Sequence, residues 1–69
     1  MRNDIFLNEM GKRIRSIRRA KEMSLQRVSD LTGIDLSNLS FLERGQRNTH
    51  LLSLKSIADV LKVEVKDFI

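Results

Sequence analysis

Apolar residues early in the chain recur with the three- and four-residue spacing of one helix face. Phe6, Met10, Ile14 and Ile17 follow one another in steps of four, four and three. Since an α-helix turns once in about 3.6 residues, side chains with this spacing lie on one side and can be buried together. The pattern predicts a first helix from about Ile5 to Lys21.

A second, shorter helix is predicted between two capping residues. Ser24 is a suitable N-cap, because its hydroxyl can accept a hydrogen bond from a first-turn amide. Leu25, Val28 and Leu31 then recur every three residues. Gly33 follows them and suits the left-handed conformation that often ends a helix.

The third predicted helix begins after a very short turn. Asp35 is its expected N-cap, and Gly45 ends it. Leu39 and Leu42 mark the side of this helix that is expected to face the core. Two short helices joined by a turn of three or four residues containing glycine form a helix-turn-helix, here over residues 25–44.

The remaining sequence predicts a loop, a fourth helix and a last helical turn. Residues 46–50 (QRNTH) have the composition of a loop, and a helix from about Leu51 to Leu61 follows. Its predicted inward residues are Leu54, Ile57, Ala58 and Leu61. VEVKDFI alternates like a strand, but no second strand is available to pair with it, so we expect a helical turn that packs Val65 and Phe68. The predicted fold is all-α, with four or five short helices in one domain over residues 1–69.

The outward face of the third helix lacks the lysines and glutamates of an ordinary solvent face. A helical wheel places on it Ser37, Ser40, Phe41 and Arg44, with Leu36 and Asn38 on the flanks. Short donors and acceptors can reach base edges in the DNA major groove, and apolar side chains can meet thymine methyl groups. The face therefore favours groove reading. The alternative is an ordinary polar surface, with Phe41 in a core or dimer contact.

The charge of the chain favours a polyanionic partner. Its 69 residues carry 13 Lys and Arg against 9 Asp and Glu, a net charge of +4. Six of these cations lie close together in the first helix, namely Lys12, Arg13, Arg15, Arg18, Arg19 and Lys21. Because they spread around more than one face of that helix, most of them are expected to form a solvated surface.

Composition argues against several other classes of protein. The chain has no cysteine, which fits a cytoplasmic protein, and no apolar run near the roughly 18 residues of a membrane span. His50 is the only histidine, so neither a metal site nor a Ser–His–Asp set is expected. A glycine-rich phosphate loop is also missing. We therefore expect no enzyme activity, cofactor or metal.

Four segments of the sequence together carry a family resemblance. They resemble the Cro/CI-type helix-turn-helix of the XRE family, and the segments are GKRIRSIRRAKEMS, LTGID, LSFLERGQRN and LKSIADVLKV. The resemblance runs without a gap from Met10 to Ile69. ERGQRN and the short length look most like the controller proteins of restriction–modification systems. The resemblance implies a compact five-helix, lambda-repressor-like DNA-binding domain, a symmetric dimer and operator binding through the third helix.

The resemblance also assigns roles to individual residues. The base-reading positions are Leu36, Ser37, Asn38, Ser40 and Phe41. The positions near phosphate or the groove edge are Arg44, Gln46, Arg47 and Asn48. Arg18 and Glu43 occupy the positions of a structural ion pair.

Two further residues are candidates for the DNA backbone at the start of the second helix. Gln26 lies one place after the position where many relatives have a phosphate-binding glutamine, which is Leu25 here. Arg27 lies where the helix N-terminus would meet the DNA backbone.

The sequence departs from the family pattern at two other positions. Leu36 lies where controller proteins often have a cation that can read guanine. His50 lies where a serine often caps the fourth helix.

Apolar residues near the end of the sequence predict a dimer interface. A single short helix contacts too few bases for specificity, so such modules pair to read two half-sites about one helical turn apart. A last helical turn needs fewer apolar residues for its own packing than the four found here, which are Val63, Val65, Phe68 and Ile69. We expect these residues, with part of the fourth helix, to form an isologous contact. The alternative is that they only cap the core of the monomer.

The sequence thus predicts a sequence-specific, dimeric transcription regulator that binds double-stranded DNA at a short inverted repeat. It would repress by blocking RNA polymerase or activate by contacting it, and control of a restriction–modification operon is one version of this function. The alternative is a protein-interaction module, antitoxin-like or regulator-binding, in which Phe41 and Leu36 form an apolar anchor.

Overall fold

The computed structural model describes residues 2–69, and side chains from Asp4 onward, as a helical protein. Four helices and one 3-10 helix follow one another: α1 (Arg2–Ala20), α2 (Leu25–Thr32), α3 (Leu36–Glu43), α4 (Leu51–Leu61) and the 3-10 helix Val65–Phe68. This confirms the predicted all-α fold, and over residues 2–69 VEVKDFI has no strand to pair with. Within the same residues, no helix has both the length and the apolar character to cross a membrane.

The caps of α2 form as the sequence predicts. The Ser24 hydroxyl accepts a hydrogen bond from the amide of Arg27 at 3.0 Å. Gly33 has a φ of 77° and donates its amide to the carbonyl of Ser29 at 2.9 Å. Since a left-handed backbone is costly for residues with a Cβ, Gly33 ends the helix here.

The two later helices begin without the side-chain caps that the sequence suggests. Asp35 precedes α3, but its carboxylate makes no capping bond. His50 precedes α4, also without a capping bond, and the Asn48 Oδ1 accepts the amide of Thr49 at 2.8 Å. Packing of their apolar faces therefore stabilises these helices more than capping does.

The helices enclose one cluster of buried apolar side chains. α3 packs against α1 and α2, α4 packs against α2, and the 3-10 helix packs against α1 and α4. The buried members are Met10, Ile14, Val28, Leu39, Leu42, Leu54, Ile57, Ala58, Leu61 and Phe68. Arg13 Nη1 also donates to the carbonyl of Ile69 at 2.5 Å, which ties the residue after the 3-10 helix to α1.

Two residues of the predicted apolar faces are not in this cluster. Phe6 is 48% exposed, and Leu7 packs against the core instead. Both lie at helical spacing from Met10, so periodicity alone does not choose between them. Leu31 is likewise 48% exposed, because it lies near the end of α2 and outside the contact with the core.

One predicted interface residue requires a correction. Phe68 has 0% exposure and lies among the core side chains, so it has no surface to offer a second copy. Phe68, the last residue of the 3-10 helix, closes the open end of a small core, which is the alternative that the sequence left open. Val63 and Val65 are half-buried against the same core, and only Ile69 is 54% exposed.

Gly11 permits a close approach between α1 and the end of α3. A Cβ at this position would lie 2.5 Å from the carbonyl oxygen of Leu42 and 2.6 Å from that of Glu43. Both distances are far inside van der Waals contact, and the atoms concerned belong to backbone. Only glycine fits here without a shift of one helix.

Gly11→Ala is therefore expected to destabilise the protein, although alanine is the better helix former. Helix propensity favours alanine by about 1 kcal/mol. Overpacking costs about 1–3 kcal/mol, and the cost is at the upper end here because backbone atoms cannot rotate away. We expect a net loss of up to about 2 kcal/mol in the free energy of unfolding, measured with urea.

Ser16→Ala is the matched control, since Ser16 is exposed on the same helix. It should change the free energy of unfolding by less than about 0.5 kcal/mol. A Gly11→Ala protein more stable than the wild type would contradict the close approach.

Candidate nucleic-acid interface

The turn between α2 and α3 is fixed by two hydroxyl side chains. Ser29 Oγ donates to the carbonyl of Ile34 at 2.6 Å. Thr32 Oγ1 donates to the carbonyl of Val28 at 2.7 Å and accepts the amide of Ile34 at 3.2 Å. These bonds satisfy backbone groups that a helix end leaves free, so they hold α3 at a set angle to α2.

A bidentate ion pair holds the C-terminal end of α3 in place. Arg18 Nε lies 2.6 Å from Glu43 Oε2, and Arg18 Nη2 lies 2.9 Å from Glu43 Oε1. The third donor, Nη1, bonds the carbonyl of Met23 at 2.9 Å. The pair assigned from the family resemblance is therefore present, and it joins α1, the segment before α2 and the end of α3.

The ion pair is shielded from water. The side chains of Arg18 and Glu43 are 11% and 7% exposed. The hydrogen bond to Glu43 raises the pKa of Arg18 above its ordinary value, and the lowering effect of burial does not cancel it. The guanidinium therefore stays charged beside the buried carboxylate.

The five predicted base-reading residues lie on the side of α3 away from the core. Leu36 and Ser37 are exposed, and Asn38, Ser40 and Phe41 are half-buried. Leu39 and Leu42 are buried on the opposite side. Except for the half-burial of Ser40 and Phe41, this arrangement follows the helical wheel.

Two arginines cover the ring of Phe41. The Cζ atoms of Arg44 and Arg47 each lie 4.9 Å from the ring centroid, within the range of a cation–π contact. Arg44 Nε also donates to the carbonyl of Ser40 at 3.3 Å. Arg47 Nη1 donates to Asn38 Oδ1. The sequence does not indicate these contacts, because they depend on how the chain turns back after Gly45.

Gly45 makes this reversal possible. Its φ is 71°, and a Cβ there would lie 2.7 Å from the Cα of Asn8. The amide of Gln46 then bonds the carbonyl of Phe41 at 2.9 Å and closes the end of α3. As a result, the loop that follows returns along α3.

The predicted backbone-contacting residues fall into two groups. Arg44, Gln46, Arg47 and Asn48 are exposed at and after the end of α3. A groove of 370 Å³ between α3 and the start of α4 brings Asn38, Arg47 and Asn48 together with Thr49, His50 and Ser53. The second group is exposed on α2, where Gln26 Nε2 donates to Asp30 Oδ1 at 2.9 Å and Arg27 lies in the first turn. A phosphate at Gln26 would have to displace that carboxylate.

Comparison with known proteins identifies the class of this one. The family model described as helix-turn-helix matches residues 14–68. The chain belongs to this family, the XRE class of DNA-binding transcriptional regulators. No curated protein matches the sequence significantly.

Solved structures of regulators share the fold. The restriction-modification controller protein C.AhdI from Aeromonas hydrophila is 35% identical, with a TM-score of 0.88 over 91% of this chain and 96% of that one. The clp gene regulator ClgR from Corynebacterium glutamicum is 27% identical, with a TM-score of 0.88 over 91% of this chain and 67% of that one. An HTH_3 family transcriptional regulator from Vibrio cholerae has the same TM-score at 24% identity, which shows the fold alone, and this chain spans 37% of it.

Arg18→Met is expected to lower the free energy of unfolding by about 3–5 kcal/mol, because it leaves Glu43 buried without its partner. A protein of this size is stabilised by only about 0.05–0.15 kcal/mol per residue, so this loss is a large part of its total stability. The double variant Arg18→Met with Glu43→Met removes both charges and should recover most of the loss. Thermal unfolding followed by circular dichroism compares the three proteins.

Either of two results would contradict a structural role for the pair. One is an Arg18→Met protein as stable as the wild type. The other is a double variant no more stable than the single one.

Proposed function

We propose that this protein is a sequence-specific transcription regulator that binds a short inverted-repeat operator as a homodimer. The observation that carries the proposal is the outward face of α3, where short polar and apolar groups are accessible and two arginines lie at one end. An α-helix fits the DNA major groove, in which each base pair presents its own pattern of donors and acceptors. The arginines add the attraction for phosphate that such a helix needs.

The proposed contacts divide into two kinds. Base reading is assigned to Leu36, Ser37, Asn38, Ser40 and Phe41. Contacts with phosphate or the groove edge are assigned to Gln26, Arg27, Arg44, Gln46, Arg47 and Asn48. Exposure of the second group supports its role, since phosphate contacts need side chains that reach beyond the helix surface.

The structure gives less support to a protein-interaction module. In that alternative, Phe41 and Leu36 form an apolar anchor for a partner protein. The ring of Phe41 is instead covered by the guanidinium groups of Arg44 and Arg47. A surface with this charge suits a polyanion better than an apolar partner.

The similarity to C.AhdI supports a role in a restriction–modification operon, because it extends over nearly the whole of both chains. Control would be by promoter occupancy in the cytoplasm. The dimer would repress by blocking RNA polymerase at one level of occupancy and activate by contacting it at another.

The proposed dimer uses apolar residues that remain accessible after the core is formed. Leu52 on the outer face of α4 is 80% exposed, and Ile69 is 54% exposed. Val63 and Val65 line a shallow depression with Lys55, Glu64 and Lys66. Exposed leucine and isoleucine on a small protein favour association with a second copy.

Selection from random duplex DNA tests the function directly. We expect the purified protein to enrich an inverted repeat whose half-sites are centred about one helical turn, 10–10.5 base pairs, apart. No enriched sequence at moderate salt would contradict groove reading and favour a protein partner. Binding that needs Phe41 and tolerates salt would point the same way.

Salt dependence of binding to the selected site tests the phosphate contacts within the same experiment. Each neutralised phosphate contributes about 0.9 to the slope of log K against log salt. Because the proposed dimer carries Arg44 twice, Arg44→Ala should lower the slope by about 1.8, which is about 0.9 for each of the two phosphates. Lys12→Ala removes the same charge from an exposed position on α1 that is assigned neither to DNA nor to the dimer contact, and it should leave the slope unchanged.

Substitutions on the proposed dimer surface should shift the oligomeric state. Leu52→Lys and Ile69→Lys place a charge in the isologous contact, and we expect each to raise the dimer dissociation constant at least tenfold, which corresponds to about 1.4 kcal/mol. Ile5→Lys is the control, because Ile5 is 64% exposed on α1. Sedimentation measures all three, and a wild-type monomer at micromolar concentration with and without DNA would refute the dimer.

A further inference from the structure

We infer that Arg47 reads a guanine of the operator, and that Asn38 and Phe41 hold its guanidinium in the reading position. The inference rests on the proposed function and deepens it. It moves Arg47 from the rim of the interface to its base-reading part, and it changes Asn38 from a reader of adenine to a positioning residue.

The position of the Arg47 side chain supports this role. Its backbone belongs to the loop after α3, yet its Nη1 donates to Asn38 Oδ1 and its Cζ lies 4.9 Å from the ring centroid of Phe41. Asn38 and Phe41 are three residues apart on α3, so they lie on one face of that helix. The guanidinium therefore lies on the surface that the proposed function places in the major groove.

The bond from Arg47 changes what Asn38 can do. Reading adenine with an asparagine needs both the amide oxygen and the amide nitrogen, which accept from N6 and donate to N7. Here the oxygen already accepts from Arg47. An adenine N6 would have to share this oxygen through its second lone pair, and the inference assigns Asn38 to orienting the arginine instead.

The chemistry of the guanidinium selects guanine. It has five N–H donors in one plane, and one of them is used by Asn38, which leaves four. The Cζ lies 4.9 Å from the ring centroid of Phe41, and this cation–π contact occupies none of the donors. Two parallel donors from such an edge match the O6 and N7 acceptors of guanine, which is the commonest specific arginine contact.

The outward residues of α3 otherwise lack a cation for this purpose. Leu36 is apolar, and Arg44 binds the carbonyl of Ser40 at the exposed end of the helix. Arg47 thus provides the guanine-reading group that Leu36 cannot provide. Asn38 and Phe41 also hold the guanidinium of Arg47 in one orientation. An arginine that contacts phosphate needs no such orienting partner.

The test replaces each guanine of the selected operator in turn with 7-deazaguanine, which lacks only the N7 acceptor. We expect one position in each half-site to weaken binding of the wild type by about tenfold or more. Arg47→Ala should abolish this penalty. Arg44→Ala, which removes an equal charge from the same surface, should retain it.

Asn38 is tested by two substitutions in the same assay. Asn38→Ala should reduce the penalty, and it should cause no further reduction in the Arg47→Ala background. Asn38→Asp keeps an oxygen acceptor for Arg47 and should restore the penalty, although an aspartate cannot donate to adenine. Circular dichroism of each variant ensures that only folded proteins are compared.

The possible failures are distinguishable. If the wild type selects no operator, the proposed function fails and this inference with it. If it selects one whose half-sites contain no guanine, or if the penalty persists in Arg47→Ala, only this inference fails and Arg47 is a phosphate contact. An adenine preference that is lost in Asn38→Asp but retained in Arg47→Ala would make Asn38 the direct reader instead.

Discussion

The ion pair between Arg18 and Glu43 lies where the end of α3 meets α1, and the direction of α3 depends on it. Two hydrogen bonds to the carboxylate and a third to the Met23 carbonyl join three parts of the chain through one guanidinium. A charge buried to this extent is tolerated only when its partner is held in place. The pair therefore favours a single position of the helix over a range of positions.

Gly11 and Gly45 set the distances around this pair. Gly11 lets α1 approach the last carbonyls of α3, and Gly45 lets the chain reverse beside Asn8. The reversal matters for the proposed function because it returns the following loop toward α3. Without it, Arg47 would have no means of reaching Asn38 or the ring of Phe41.

The proposed DNA-binding surface consequently consists of a helix supplemented by a loop. α3 itself presents small polar groups, one aromatic ring and an apolar residue, with charge only at its end. The loop adds the guanidinium of Arg47, and the ring of Phe41 accepts it together with that of Arg44. The two arginines that cover Phe41 thus explain why this residue is half-buried on an exposed helix face.

Periodicity and capping residues determined most of the fold from the sequence. Each short helix carries its own apolar spacing, and α2 also carries its own caps at Ser24 and Gly33. The family motifs added Arg18 with Glu43, two residues far apart in the chain that no local pattern connects. Tertiary structure alone decided that Leu7 rather than Phe6 is buried and that Phe68 closes the core. It also decided that the side chain of Arg47 contacts α3. These outcomes depend on which surfaces meet and where the chain turns, and spacing along the sequence does not contain that information.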